Sequence, residues 1–489
     1  MTSGSLDAVV VGSGPNGLAA ALTLARAGLS VEIYESASTP GGGCRTEELT
    51  LPGFSHDVCS TIQSMVGLSP FFREFSDITD AITMRAPDVA LAHPLDDGRA
   101  AFVSTSLEDT VRGLGVDGRS YRRLFEPLVK DAPRLAASVL SPLRAPPSNP
   151  LTMAHFARYG LPSAQHLAKR FSTPEARALV AGVCAHAMLP LDTAVTAAFG
   201  LFLTVTAHVG GWPVIEGGSG QLVSVLVDAL EKEGVQIRLE RPVRSMSDVP
   251  NSRATLFDTS VPGLLAIAGD RLSSRYQRSV AHFERGPGVF KVDWALSGPV
   301  PWKAKVARRA GTVHVGGTFE EVAASEDDVA KGRHSEYPYC IVVQASVADS
   351  TRAPAGQHTL WAYCHVPNGS SVDMAERIER QIERFAPGFR DLILARVSTS
   401  TAESEQHNAN YLGGDISGGA GTLRQTISRP ARRWNEYRTG TKGLYLCSSS
   451  TPPGGGVHGM CGWNAARTVL RDLEGVPNSR EPRVPRGVG

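Results

Sequence analysis

Gly12, Gly14 and Gly17 follow the apolar run Asp7-Ala8-Val9-Val10-Val11 as Gly12-Ser13-Gly14-Pro15-Asn16-Gly17 and lead into an Ala/Leu-rich stretch. Residues of these types at this spacing can hold a diphosphate. A first glycine permits a tight turn out of a buried strand, a second lets backbone approach the ligand, and a third lets helix and strand pack closely. Pro15 and Asn16 then open a helix whose N-terminal amides face negative charge. A carboxylate completes the set: Val31-Glu32-Ile33-Tyr34-Glu35 reads as a second strand ending in an acid, close to the spacing of a ribose-binding carboxylate. Strand, turn, helix, strand and acid in that order point to a dinucleotide, without separating a nicotinamide from a flavin.

Ser36-Ala37-Ser38-Thr39-Pro40-Gly41-Gly42-Gly43-Cys44-Arg45-Thr46 is a second small-residue loop. Backbone at Gly42 and Gly43 can again approach a ligand, and Arg45 can meet an anion. With this loop the chain resembles the FAD-dependent amine oxidase and phytoene desaturase superfamily, which carries a glycine pair followed by Arg and Ser/Thr after the second strand. Two further segments carry the resemblance. Gly211-Trp212-Pro213-Val214-Ile215-Glu216-Gly217-Gly218-Ser219-Gly220-Gln221-Leu222 looks like the family's turn before a helix through Leu222, Leu226 and Leu230. Near the C-terminus, Gly443-Leu444-Tyr445-Leu446-Cys447 reads as a buried strand, followed by the turn Pro453-Gly454-Gly455-Gly456-Val457-His458-Gly459 and a helix through Trp463 to Leu473.

The resemblance implies FAD as cofactor. It implies that Gly12, Gly14, Pro15, Asn16 and Gly17 cradle the diphosphate, with Glu35 and Ser36 at the ribose and Gly42, Gly43 and Arg45 near diphosphate and flavin. Val243, in a short strand expected over Pro242-Val243-Arg244-Ser245-Met246, would touch the adenine side. Gly456, Val457 and His458 would lie along the isoalloxazine edge, where His458 is a candidate proton donor or a packing residue. Asp415, in Gly413-Gly414-Asp415-Ile416, is either a turn aspartate or an acid that reaches the cavity.

These segments lie far apart, so the elements that position them must come from a discontinuous domain. The expected architecture is α/β: a Rossmann-type FAD-binding domain from residues 1–67, 207–262 and 430–475, with an inserted α+β substrate domain from 68–206 and 263–429 and a loose tail over 476–489. In the first insertion, helices are expected at Leu107–Gly113, at Tyr121–Leu140 with breaks or kinks at Pro127 and Pro133, and at Pro174–His186 with Thr173 as N-cap. In the second, Gly288–Leu296 and Thr359–Val366 alternate as strands of a sheet with two unlike faces. Core packing is the favoured reading for Phe290, Val292, Trp294, Trp361 and Tyr363.

The 489 residues, 42% hydrophobic and 20% charged, can build two connected domains. Net charge +1 and the absence of a basic stripe exclude a nucleic-acid partner from the expected functions. Seven scattered cysteines with no CxxC pair suit a reducing compartment and predict no metal site. No basic, apolar leader precedes the first strand, and no apolar run reaches membrane-spanning length. A cytoplasmic protein is expected. The segment 151–171 either touches a membrane surface or, in the favoured reading, forms a solvated lid.

A flavin needs few catalytic side chains from the protein, which mainly holds a bond over its reactive atom. A second nucleotide motif and a CxxC pair are both lacking, which disfavours disulfide reduction. The leading expectation is a dehydrogenase or desaturase, or a redox-neutral isomerase or saturase, acting on carbon–carbon bonds of a small apolar molecule with an unidentified electron acceptor. The alternatives are a flavin amine oxidase and a lipid-binding chaperone without redox activity.

Overall fold

A computed structural model describes residues 6–142 and 146–474. The expected tail over 476–489 lies outside the described residues. Strand β1 (Leu6–Val11) turns into α1 (Pro15–Arg26), and β2 (Val31–Tyr34) follows. Next come β3 (Val89–Pro94) and β4 (Ala100–Val103), then a helical stretch that includes α2 (Gly118–Lys130), α3 (Pro150–Gly160), α4 (Pro174–Cys184) and α5 (Thr196–Gly210). The chain continues through α6 (Gly220–Lys232), β5 (Gln236–Arg238), β6 (Ser252–Phe257), β7 (Gly288–Leu296), β8 (Ala310–Val315), β9 (Cys340–Val343) and β10 (His358–Val366). It ends with α7 (Ala375–Phe385), β11 (Ile393–Thr399), β12 (Leu444–Leu446) and α8 (Met460–Leu473).

Two sheets organise these elements. The first is five-stranded in the order β12-β6-β1-β2-β5, with every neighbour parallel. Buried on both faces, its central strands are continuous apolar runs, as parallel sheets require. Helices α1 and α8 pack against each other, and α1 also meets α6. The second sheet is seven-stranded, in the order β11-β7-β10-β9-β8-β3-β4, and mainly antiparallel.

Alternation gives that second sheet unlike faces. Val292 and Trp294 on β7, Leu360 and Ala362 on β10, and Val342 on β9 share one apolar cluster with Ile378, Ile382 and Phe385 of α7. The opposite face carries Lys291 beside Tyr363 and Asp293 beside Trp361, paired across β7 and β10. Ile341 and His314 continue the row through β9 and β8.

Local signals explain the helices. Thr173 Oγ1 accepts from the Ala176 amide at 3.3 Å and Pro174 occupies the first turn of α4. Pro127 lies inside α2, and the chain breaks at Asp131, after which Pro133 sits in the first turn of the next helix. Residues 242–246 depart from expectation and form no strand. Pro242 offers no amide, and Asp248 Oδ2 accepts from the Arg244 and Ser245 amides at 2.8 Å each, closing a turn in place of a ladder. Among the described residues no helix is long and apolar enough to cross a membrane.

Candidate functional site

The turn between β1 and α1 is built with no room for side chains. Gly12 has φ +99°, and a Cβ there would lie 2.8 Å from the Asp258 carbonyl oxygen. A Cβ at Gly17 would lie 2.2 Å from the Gly12 carbonyl oxygen. From the second loop, Gly42 comes so close that its Cβ would be 3.1 Å from Gly14 Cα. Gly14 is the N-cap of α1 and Pro15 stands at its first position, so the helix's positive end opens onto the cleft. Asn16 is buried, and its Nδ2 reaches Ser449 Oγ at 3.4 Å, tying this turn to the segment after β12.

Glu35 extends from the end of β2 beneath the same turn. Its Oε2 accepts from the Ser13 amide at 2.9 Å and the Ser13 hydroxyl at 2.6 Å, and its Oε1 from the Ala37 amide at 2.9 Å. Exposed Ser36 also donates to Oε1, at 3.2 Å. A cleft of about 620 Å³ opens here, lined by Gly12, Gly14, Glu35, Gly42, Arg45 and Val243 among others. Thus Gly12, Gly14, Glu35, Ser36, Gly42, Arg45 and half-buried Val243 line one cavity, although Val243 arrives on a turn, while Pro15, Asn16, Gly17 and Gly43 do not line it.

Arg45 faces the segment that precedes Tyr411. Its Nη1 donates to His407 Nε2 at 3.2 Å and approaches the His407 carbonyl oxygen at 3.4 Å. Burial, followed by the charge of Arg45, lowers the His407 pKa. Gly43 has Tyr411 as its ceiling, since a Cβ there would be within 2.1 Å of the Tyr411 hydroxyl.

The C-terminal candidates stand on a different wall. Gly456, Val457 and His458 are not among the residues lining the 620 Å³ cleft. Gly456 is exposed at φ +125° beside Met65, and Val457 is half-buried. His458 is fully buried, with Nε2 donating to the Gly454 carbonyl at 3.2 Å and Nδ1 accepting from the Met460 amide at 3.0 Å. Burial lowers its pKa to about 4, so the ring is neutral near pH 7. Asp415 accepts from the Gly286 amide at 2.7 Å and the Ser417 amide at 2.9 Å, bracing a turn.

Three features escape the sequence reading. Asp258 follows β6 and places Oδ2 2.9 Å from the Gly17 amide, where it accepts a hydrogen bond. Its only forewarning is an acid directly after the apolar run Ala254–Phe257. Lys291 and Asp293, both buried on β7, form an ion pair at 2.6 Å, and Lys291 Nζ also donates to the Asp57 carbonyl at 3.0 Å. Two charges at i and i+2 in an otherwise apolar strand were the available signal. A third group, His186 and His314, lies on the helical side of the second sheet with Nε2 atoms 2.9 Å apart, and burial lowers both pKa values.

The residues present fit a dinucleotide. Asn16 Oδ1, Arg45 Nε and Thr259 Oγ1 are buried atoms without a hydrogen-bond partner in or beside the cleft, where a polar ligand would satisfy them. The glycine cradle gives such a ligand backbone-width access.

Residues 10–75 match the model of the NAD(P)-binding Rossmann-like domain. Over 96% of its length the chain is 25% identical to pyridine nucleotide-disulfide oxidoreductase domain-containing protein 2 of Rattus norvegicus, covering 94% of that protein. It is 24% identical to the neurosporene-forming phytoene desaturase of Rhodobacter capsulatus, with 99% of this chain and 96% of the relative covered. Its fold is similar to wild-type putrescine oxidase bound to putrescine, with a TM-score of 0.61, 19% identity and coverage of 96% of this chain and 99% of the other. The chain thus carries a dinucleotide-binding Rossmann-like segment, is similar over nearly its whole length to a phytoene desaturase, and shares its fold with a putrescine oxidase.

Proposed function

We propose that the cofactor is FAD and that the enzyme removes or returns hydrogen at a carbon–carbon bond of a small apolar molecule. The observation that carries the reading is the cradle in which Gly12, Gly14 and Gly42 line the cleft with bare backbone beside the Glu35 carboxylate. In this reading the α1 turn and Arg45 hold the diphosphate, Glu35 and Ser36 take ribose hydroxyls, and Val243 covers the adenine. Gly42 and Gly43 lie along the diphosphate and flavin, and Gly456, Val457 and His458 flank the isoalloxazine. When bound, the flavin supplies a two-electron acceptor for hydride.

The chain's own residues then bind, orient and exclude water. Exposed Gly456 and half-buried Val457 offer backbone to the ring edge. His458 fixes that turn through the Met460 amide and the Gly454 carbonyl. Likeness to a phytoene desaturase over nearly the whole chain supports an apolar substrate and carbon–carbon chemistry. An amine substrate is less well supported. Trp361 and Tyr363 stack at 5.6 Å, but the Lys291 ammonium already lies 5.4 Å from the Trp361 ring centre, where a second cation would be repelled.

Leu151 and Leu161, exposed at the two ends of α3 near Arg158, support contact of this segment with a membrane surface from which an apolar substrate could be collected. Co-sedimentation with anionic vesicles tests that contact, and its loss in Leu151→Ser/Leu161→Ser is the expected result.

The visible spectrum of the purified protein, with identification of pigment released on denaturation, tests the main reading. Flavin bands with FAD in the supernatant are expected. A colourless protein that also fails to take up added FAD would overturn it.

A further inference from the structure

Asp258 stands where the ligand's negative charge is expected. β6 pairs with β1 so that Phe257 lies beside Val11, and the next residue turns directly over the glycine loop. The Asp258 amide donates to the Val11 carbonyl at 2.8 Å, and its own carbonyl accepts from Asn410 Nδ2 at 3.0 Å, so the backbone is fixed on both sides. The side chain is 6% exposed and borders the cleft. A Cβ at Gly14 would lie 2.7 Å from Asp258 Oδ2, and one at Gly17 3.0 Å from the same atom. The Gly17 amide of the turn is therefore occupied by a carboxylate that also packs against Gly14, while Asn16 Oδ1 and Thr259 Oγ1 lack partners close by.

A diphosphate approaching this turn meets an anion already seated on one of its donors. Repulsion between them is strong in a buried site of low dielectric, and protonation of the carboxyl removes it. The neutral acid also gains an O–H that a phosphate oxygen can accept. We propose that Asp258 competes with the diphosphate for the Gly17 amide, and that the dinucleotide binds together with one proton, taken from solvent onto the Asp258 carboxyl. This rests on the assignment of FAD above.

The groups facing Asp258 leave it as the titrating partner. Glu35, just after β2, is the neighbouring acid and opposes its ionisation. Cys447 after β12 and Cys461 on α8 also sense Asp258, and burial pushes both thiols up, Cys461 to about 12. Across the cleft stand Arg45, Arg244 and His407, the last with a pKa below its ordinary value. Burial raises the Asp258 carboxyl to about 7, against the hydrogen bond from the Gly17 amide that lowers it.

The sign follows from that position. Below about pH 7 the carboxyl of the free protein is already neutral and affinity is flat. Above it a proton must be taken up on binding, and affinity falls by up to about tenfold per pH unit.

The test titrates apoprotein with FAD by flavin fluorescence from pH 6 to 8.5, in the wild type, Asp258→Asn and His407→Gln. Calorimetry at pH 8 in two buffers of different ionisation heat counts protons and needs no variant. The expected result is the stated slope in wild type and His407→Gln, about one proton taken up per FAD, and a flat, tighter Kd at pH 8 in Asp258→Asn. A pH-independent wild-type Kd without proton uptake, an unchanged slope in Asp258→Asn, or loss of FAD binding in that variant overturns the proposal alone. Failure of the wild type to bind FAD at every pH overturns the cofactor assignment and the proposal with it.

Discussion

Ser13 grips Glu35 twice, its amide and its hydroxyl donating to the same carboxylate oxygen at 2.9 and 2.6 Å. The first glycine loop and the end of the second strand are thereby locked into one register. The carboxylate is held rigid before any ribose arrives, so less ordering remains to be done on binding.

Replacing Glu35 by Ala should weaken FAD retention by about 10- to 100-fold, the effect of losing charge-assisted hydrogen bonds of about 1.5–3 kcal/mol. The chain should stay folded, because the sheet and α1 remain. Ultrafiltration of the holoprotein followed by flavin fluorimetry measures this, and full retention would sink the role given to Glu35.

His458 presents a sharper choice. Both ring nitrogens are engaged within its own turn, so His458→Asn should leave the rate of flavin reduction nearly unchanged and lower stability by about 1–2 kcal/mol. Stopped-flow reduction and thermal unfolding separate the two effects. A large fall in the reduction rate at unchanged stability would instead make His458 a proton donor.

The buried pair on β7 should show strong coupling. Asp293→Ala leaves the Lys291 ammonium unpaired in a site where both side chains are almost fully enclosed, at a cost of about 3–5 kcal/mol. The double variant Lys291→Met/Asp293→Leu should recover most of that loss. Denaturant melts of the wild type, the single variants Lys291→Met and Asp293→Leu, and the double variant give the coupling, and additive losses would show that the pair is not a unit.

Gly462 allows α8 to lie against α1. A Cβ there would be 1.8 Å from the Asn16 carbonyl oxygen, so Gly462→Ala should cost about 3 kcal/mol or more and loosen the C-terminal wall of the site. Gly67→Ala meets nothing within 4 Å and serves as the control that should be tolerated. Equal melting temperatures for the two variants would contradict the close approach.

The parts of the site that could be read in the sequence are those whose geometry is made by neighbours in the chain. Gly12, Gly14 and Gly17 announce their turn because the turn itself demands them, and Glu35 follows one helix later. Asp258 could not be read in this way, since its partner, the Gly17 amide, lies more than two hundred residues away and any acid after a strand looks like a cap. Lys291 and Asp293 were hidden for a related reason: alternation in β7 marked a two-faced strand but not what the second face would meet. At Pro242–Met246 strand propensity misled, because Asp248 offered the backbone amides a local acceptor. His407, Asn408 and Asn410 reach the cleft from a segment that carries no pattern of its own.

The order of strands in the parallel sheet has a consequence for how the protein is made. β12 pairs with β6 although the whole seven-stranded insertion apart from β3 and β4 is threaded between them. A chain emerging from the ribosome can therefore assemble β1, β2, β5 and β6 early, but must carry β6 as an open edge until Leu444–Leu446 has been synthesised. Translation stalled before that point would release a protein with its nucleotide loop formed and its sheet unsealed, a form exposed to aggregation and to proteases.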